Sequence, residues 1–356
     1  MKVIYLSSES YIDHSYTIVE ELQKHVDLNV FLQAKERTEE IDSWCNKFNA
    51  EFYPRKRFRN PLSIFKEIIF LRKIRDMKPD VIWFNTMTVY QLLLVPRMFK
   101  KYLVMMHDVE EHPESRDKHG KLTVKLTLML AKKHITTASK TQAGIFKRRF
   151  GFAPKVFQLP VINYYSGQEH DIIPAAEPGR VRFFFFGSVE AYKGIELLLD
   201  AAEILEKRGL EFGLNVYGKL KYSREEIRTR ILGLKNAELH DEFINYRKVR
   251  SIYSQNDILV LPYTQVTQCG PLLIGFSEGV PAICSDLPGF REYITDGEDG
   301  LLFENTAESL ADKMELVIKR KVSLEKLKKG IEEIAMKSFS MENLLEEYIR
   351  NFESVL

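Results

Sequence analysis

Two short stretches of this chain combine residue types that could do chemistry. His107-Asp108-Val109-Glu110-Glu111-His112 sets two imidazoles and several carboxylates directly after the apolar run Tyr102–Met106. Groups of these types exchange protons near neutral pH or ligate a metal ion. Metal is the weaker reading, because one short loop would have to supply every ligand. The second stretch is Gly187-Ser188-Val189-Glu190-Ala191-Tyr192-Lys193-Gly194, with Lys193 just ahead of a helical pattern. The helix macrodipole disfavours a cation there unless an anion is also present. Further on, Cys269-Gly270-Pro271 opens a short apolar helix. Glycine leaves the cap backbone uncovered, and proline at the first helical position sacrifices no N–H that the helix needs.

These residues need elements to hold them. Asp257–Leu261 and Val280–Cys284 read as buried strands flanking the Gly270 helix. Such a β-loop-α-β unit aims free helix N–H groups at the carboxyl edge of a sheet, where a phosphate can bind. Strands are predicted at Lys2–Ser7, Asp27–Gln33, Pro79–Phe84, Tyr102–Met106, Ile135–Ala138, Val156–Leu159, Val181–Phe186 and Gly213–Tyr217. A polar loop at Ser8–Ser15, which holds His14, leads into an amphipathic helix to about His25, and helical spacing also covers Thr38–Phe48, Ile64–Met77, Leu122–Lys133, Gln142–Phe150, a face from Ile195 to Leu205, Arg224–Leu234, Lys248–Ser254 and the region 307–356. Alternating buried strands and helices predict doubly wound parallel sheets.

The chain has 356 residues, too many for one ordinary core, and two α/β domains are expected. The boundaries read as 1–165, 166–340 and a terminal helical segment 341–356, with the aperiodic stretch Tyr164–Gly179 as linker. A hydrophobic fraction of 45% with 29% charged residues is that of a soluble globular protein. No apolar run is long enough for a membrane span, and the first twenty residues read as strand and helix rather than a signal peptide. The three cysteines, Cys45, Cys269 and Cys284, lack metal spacing and fit a reducing cytosol. The net charge of +2 hides an asymmetry: residues 1–165 carry 28 Lys and Arg against 18 Asp and Glu, the remainder 24 against 32. A basic first half bears on partners. Arg55-Lys-Arg-Phe-Arg59 and the segment from Lys118 interleave basic and apolar residues, which suits an anionic membrane surface better than nucleic acid.

The second half also resembles a known family. Pro262-Tyr263, Thr267-Gln268-Cys269-Gly270, Gly279-x-Pro281-x-Ile283, Asp286-x-x-Gly289 with Glu292, and Asp296-Gly297-x-x-Gly300-Leu-Leu resemble the donor-binding half of GT-B glycosyltransferases. The likeness is to retaining enzymes of glycosyltransferase family 4, in the bacterial branch where Thr-Gln-Ser-Gly opens the helix. It implies a GT-B fold of two Rossmann-like domains with a cleft between them, and the last helix crossing back onto the first. It implies that Lys193, Thr267, Gln268, Cys269, Gly270 and Pro271 bind a nucleotide-diphosphate sugar of UDP or GDP type. His107 is then the catalytic candidate, with His14, Asp108 and His112 on the acceptor side. Cys269 stands for the usual serine and is expected to be a small filler rather than a nucleophile.

Departures temper the likeness. Glu190 stands where related sequences often carry Arg, and Val266 and Ile274 occupy the positions of the wider family's paired glutamates. Glu278, one turn past Ile274, reads as a solvated helix residue. No Asp-x-Asp element is evident, so neither metal nor other cofactor is expected. The resemblance implies transfer of a sugar to a glycan or lipid-linked acceptor, in cell-surface polysaccharide or glycoconjugate synthesis, by a cytoplasmic protein peripheral to the inner membrane face. A non-catalytic glycan-binding or partner-stabilising GT-B subunit, and a nucleotide-sugar epimerase, are the alternatives.

Overall fold

Short, mostly apolar runs, cut by polar turns, build two parallel sheets. The computed structural model describes residues 1–54, 63–107, 118–166 and 179–356, with backbone alone for 118–122. These residues form two units, Met1–Pro160 with Met341–Leu356, and Val161–Ser340.

The first unit contains β1 (Lys2–Ser8), β2 (Asp27–Ala34), β3 (Glu51–Pro54), β4 (Val81–Phe84), β5 (Tyr102–Met105), β6 (Ile135–Thr137) and β7 (Lys155–Val156). They pair in the order β3-β2-β1-β4-β5-β6-β7, all parallel. Val3 lies opposite Leu28 on one side and Val81 on the other. Chain direction across the sheet reverses between β1 and β4, which makes their carboxyl ends a topological switch point, the usual place for a ligand in such sheets. The Val81–Phe84 strand is fully buried because helices cover both faces.

The second unit repeats the plan with β8 (Arg182–Phe186), β9 (Gly213–Tyr217), β10 (Ala237–His240), β11 (Ile258–Leu261), β12 (Ala282–Ser285) and β13 (Leu301–Phe303), in the order β10-β9-β8-β11-β12-β13. Its switch point falls between β8 and β11. Gly187 follows one of these strands and Pro262 the other, so the sheet order alone brings the two candidate loops side by side.

Helix ends follow their caps. Thr38, Ser139 and Thr306 accept hydrogen bonds from the third residue on, and Gly151 closes a helix in the left-handed region. Thr88 and Gln91 form a reciprocal capping box at the start of the Val89–Met98 helix. The sequence reading assigns no element to this helix, whose Pro96 breaks the expected pattern, nor to β3 and β10. Both strands are short and mostly half-exposed, which deprives them of a buried run. The strand expected at Val156–Leu159 shrinks to Lys155–Val156, although Phe157 and Leu159 still bond to the Thr137 and Ala138 carbonyls. The helix expected at Leu122–Lys133 runs from Lys118 to Leu130.

The helix Met341–Glu353 belongs to the first unit. Its Tyr348 ring meets Trp83 and Phe157 edge-on, at 5.6 and 4.8 Å, and its hydroxyl donates to the Gln158 carbonyl at 2.8 Å. Asn351 donates to the Val156 carbonyl at 2.6 Å. Aromatic burial and two polar anchors together fix this segment. Among the described residues, no helix is long and apolar enough to cross a membrane.

Candidate active site

At the switch point of the second unit, close approach is made possible by glycine. Gly194 has φ of 64°, and a β-carbon there would lie 1.9 Å from the Pro262 carbonyl oxygen, so no other residue fits without moving backbone. Thr264 ties the same contact from the far side, its amide and hydroxyl donating to the Tyr192 carbonyl at 2.8 and 3.1 Å. The loop carrying Lys193 is thus clamped onto the loop after β11.

The clamp places Lys193 where its charge can be used. A β-carbon at Gly187 would lie 3.2 Å from Lys193 Nζ and 3.9 Å from Pro271 Cγ, so these three residues share one spot. Pro271 is in the first turn of the Gly270–Ser277 helix. Lys193 is half-buried and, among the described residues, has neither a hydrogen-bond acceptor nor a paired carboxylate. Its Nζ lies 5.9 and 5.8 Å from the centroids of the Tyr192 and Tyr263 rings. Burial pushes its pKa below the ordinary lysine value, and the charge of Glu190 only partly offsets this. A desolvated, unpaired ammonium beside a helix N-terminus is a site that an anion would complete.

The remaining donor candidates belong to the loop after β11 and to the start of the helix that follows it. Thr267 and Gln268 are half-buried in the loop before the helix, and Gly270 begins it. Cys269 is buried at the N-cap, and burial pushes its thiol up to about 11, so it packs as a neutral filler. The buried Tyr263 hydroxyl faces that thiol without hydrogen-bond geometry to any described group. Val266 packs on Gly289, where a β-carbon would come within 2.8 Å of it, and Ile274 is 3% exposed. Glu278 is not solvated, contrary to expectation: its side chain is 10% exposed, accepts from the Ser166 hydroxyl at 2.7 Å and faces Arg250 at 3.6 Å. Glu292 is half-buried at the end of the Pro288–Arg291 turn.

The first unit presents a different construction at its own switch point. Ser7 lies near the end of β1 and Asn85 just past β4. The Asn85 amide donates to Ser7 Oγ at 3.0 Å, Ser7 Oγ meets Ser15 Oγ at 2.6 Å, and Ser15 Oγ meets Tyr5 OH at 3.0 Å. Burial raises the Tyr5 phenol to about 12, so it stays protonated. His107, just past β5, is held at this network. Its ring stacks on Tyr11 at 3.9 Å and 12°, and its Nε2 lies 2.9 Å from the Asn85 carbonyl oxygen. A carbonyl can only accept, so Nε2 carries a hydrogen. Gln142 donates to the His107 carbonyl at 2.6 Å. Tyr5 and Ser7 on β1, together with Tyr11, Asn85 and Gln142, are spread over several elements and match no motif in the sequence.

His14 lies in the first turn of the Ile12–Leu22 helix rather than in a loop, with Nδ1 buried and without a partner among the described residues. The helix starts earlier than the sequence suggests because a short turn at Glu9–Tyr11 leads into it. Asp108 and His112 lie outside the described residues, as do Arg55, Arg57 and Arg59. Among the described residues, no three His, Cys, Asp or Glu side chains converge to hold a metal ion.

Comparison with known proteins adds to this geometry. Residues 180–320 match the family described as Glycosyl transferases group 1. A glycosyltransferase from Rickettsia africae ESF-5 is similar in structure over 99% of this chain and 98% of its own, at 15% identity and a TM-score of 0.75. Anabaena Alr3699/HepE, solved in complex with UDP and glucose, covers 99% and 100% at 14% identity and a TM-score of 0.73. The fold is GT-B. A lipopolysaccharide outer core galactosyltransferase, WaaB, is similar across 100% of both chains, at 16% identity and a TM-score of 0.64. No curated protein matches the chain by sequence. The family match lies within the second GT-B unit, the one that carries Lys193 and Gly270.

Proposed function

We propose that this chain is a retaining glycosyltransferase that moves a hexosyl group from a nucleotide-diphosphate sugar to a glycan or lipid-linked acceptor. The observation that carries the reading is Lys193, unpaired among the described residues and set against Gly187 and Pro271 at a helix N-terminus. In the reaction, the bond between the sugar's anomeric carbon and the diphosphate oxygen breaks, and a bond to an acceptor oxygen forms on the same face. The acceptor's proton passes to the leaving phosphate. Negative charge grows on the diphosphate as it departs, so a fixed cation and oriented amides favour the transition state over the ground state. No enzyme nucleophile is assigned, and no cofactor is required, because the donor carries its own leaving group.

In this reading the second unit holds the donor through Lys193, Thr267, Gln268, Cys269, Gly270 and Pro271, and the first unit supplies acceptor-side groups. His107 is the catalytic candidate, with His14, Asp108 and His112 beside the acceptor. The contact of Nε2 with the Asn85 carbonyl and the stacked Tyr11 ring fix the plane of His107, as an acceptor-side group requires. The relatives solved with UDP and with UDP and glucose support a uridine donor, and GDP is the other candidate. Release of UDP or GDP from a panel of nucleotide sugars, with and without acceptor, tests the proposal. Donor turnover that needs no acceptor, with an altered sugar as product, would instead identify an epimerase.

A lipid-linked acceptor would bring the protein to a cytoplasmic membrane surface. The first unit suits that role through its excess of basic residues and the two-thirds-exposed side chains of Phe65, Ile69 and Met129. The non-catalytic alternative draws on Val266 and the buried Ile274, which supply no carboxylates where the wider family has them. Nucleotide-sugar binding without turnover would favour it.

A further inference from the structure

A carboxylate next to a diphosphate site should weaken binding, and Glu190 is such a carboxylate. It lies three residues before Lys193 and contributes to the field that Lys193 feels. Its own surroundings dispose of its charge. The Ser188 hydroxyl donates to Glu190 Oε1 at 2.8 Å, and Lys221 Nζ approaches the same oxygen at 3.2 Å. Burial opposes ionisation of Glu190, but Ser188, Lys221 and Lys193 together hold its pKa below the usual carboxylate value.

Lys221 reaches this point because two loops continue the sheet beyond its strands. Past β8 and β9, Val189 pairs with Leu220, the Val189 amide donating to the Lys219 carbonyl at 2.9 Å and the Lys221 amide to the Val189 carbonyl at 3.0 Å. Gly218 permits the approach, since a β-carbon there would lie 2.0 Å from the Gly187 carbonyl oxygen. The loop's other cations are committed elsewhere. Lys219 and Arg224 sit on Asp241, at 3.2 and 3.3 Å, with Arg228 at 2.6 Å; against burial, the Leu220 amide, Lys219 and Arg224 hold its carboxyl down at about 2. Lys221 alone turns to the Lys193 loop, and its charge lowers the Lys193 pKa, so the two ammonium groups already sense each other.

We propose that Lys221, tethered by Glu190, is a second cation for the diphosphate of the nucleotide donor, working beside Lys193; this rests on the donor site assigned above. The tether is weak enough to exchange. Half of the Lys221 side chain is exposed, and ion pairs of that kind are worth little in water, so moving Nζ from a carboxylate to a phosphate oxygen costs little. Ser188 keeps Glu190 satisfied when Lys221 leaves. The chain therefore recovers, from a neighbouring loop, the positive charge that Glu190 removes from its own.

Calorimetric titration of UDP, GDP, uridine and guanosine into the full chain and its variants tests this. Lys221→Ala should weaken diphosphate binding by about 5- to 10-fold, the share of one partly screened charge-assisted contact, and leave the nucleosides unchanged. The double variant Glu190→Ala/Lys221→Ala should bind UDP or GDP more tightly than Lys221→Ala, because the uncompensated carboxylate is gone. If Lys193→Ala weakens diphosphate binding and Lys221→Ala does not, this inference fails while the donor site stands. Equal losses for nucleoside and diphosphate, or a double variant no better than Lys221→Ala, overturn it as well. A wild type that binds neither UDP nor GDP overturns both readings.

Discussion

The two units present their switch points in opposite ways, although each is a doubly wound parallel sheet. In the second unit the edge is made of backbone: Gly187, Gly194 and Gly218 let loops touch, and Pro271 starts a helix whose amides face outward. Lys193 supplies the charge, with Lys221 tethered to the same loop through Glu190. In the first unit the edge is made of side chains: Tyr5, Ser7, Ser15, Asn85 and Tyr11 build a platform under His107. A backbone-built edge has few replaceable parts and should fail sharply when one changes. A side-chain network spreads its cost over several contacts and should fail by degrees.

The sharpest break is expected at Gly194. Alanine there must adopt positive φ and must also displace the Pro262 carbonyl, so Gly194→Ala should cost about 3–5 kcal/mol in urea unfolding. Gly209 is the control. Its φ is 71° but nothing lies within 4 Å of a β-carbon, so Gly209→Ala should cost only about 1 kcal/mol, the strain alone. Equal costs at the two positions would mean that the clamp between the loops does not exist.

Lys193→Ala comes next. Loss of a charge-assisted contact worth about 1.5–3 kcal/mol should reduce UDP or GDP affinity by roughly 10- to 150-fold and hardly affect the nucleosides. The pH dependence follows from the lowered pKa of the free lysine. Below that pKa the ammonium is present and binding is at full strength. As pH rises through it, binding must take up a proton, so affinity declines in the alkaline range sooner than an ordinary lysine would allow. Titrations in buffers of different ionisation enthalpy should show this uptake in wild type, and its absence in Lys193→Ala.

A smaller effect is expected at the side-chain edge. Tyr11→Ala removes a stacked ring from His107, a contact worth about 0.5–1.5 kcal/mol, and should slow transfer by about 3- to 10-fold. UDP affinity should be unchanged, and ring nitrogen shifts should report His107 losing its fixed Nε2–H contact. Tyr11→Phe should restore both. A Tyr11→Ala variant with normal transfer would show that stacking does not position the ring.

This contrast also explains what could be read from sequence. The backbone-built edge is legible because its glycines, proline and lysine sit within two short segments, and turn chemistry ties residue type to conformation. Sheet order then brings the segments together. The side-chain edge is not legible, because its members are scattered over several elements from Tyr5 to Gln142 and each is an ordinary residue taken alone. The same holds for Lys221, whose partner Glu190 is on the adjoining strand's loop. Glu278 departs from the exposure its helical position implies because Ser166 and Arg250 cover it. β3, β10 and the Val89–Met98 helix escaped because half-exposed strands and an internal proline blur the periods that reveal elements.

The weakest expected effect concerns the surfaces away from these edges, where the units differ in charge. The helix Ser63–Asp76 carries Phe65 and Ile69, 63% and 65% exposed, on one stripe with Arg72 and Lys73. The helix Lys118–Leu130 exposes Met129 and Lys125 in the same layer of the first unit. Each basic residue near an anionic bilayer contributes about 1 kcal/mol at most, and salt screens it over about 10 Å, so binding to anionic vesicles should be modest and weaken with added salt. Changing Phe65 and Ile69 together to Ser should reduce it by removing apolar insertion, and changing Arg55, Arg57 and Arg59 to Glu should reduce it by removing charge. The two sets act by different physics, so salt should erase the effect of the arginine changes and leave that of the apolar ones. Equal binding to neutral vesicles, or none to either kind, would remove the membrane from the comparison and favour a soluble acceptor.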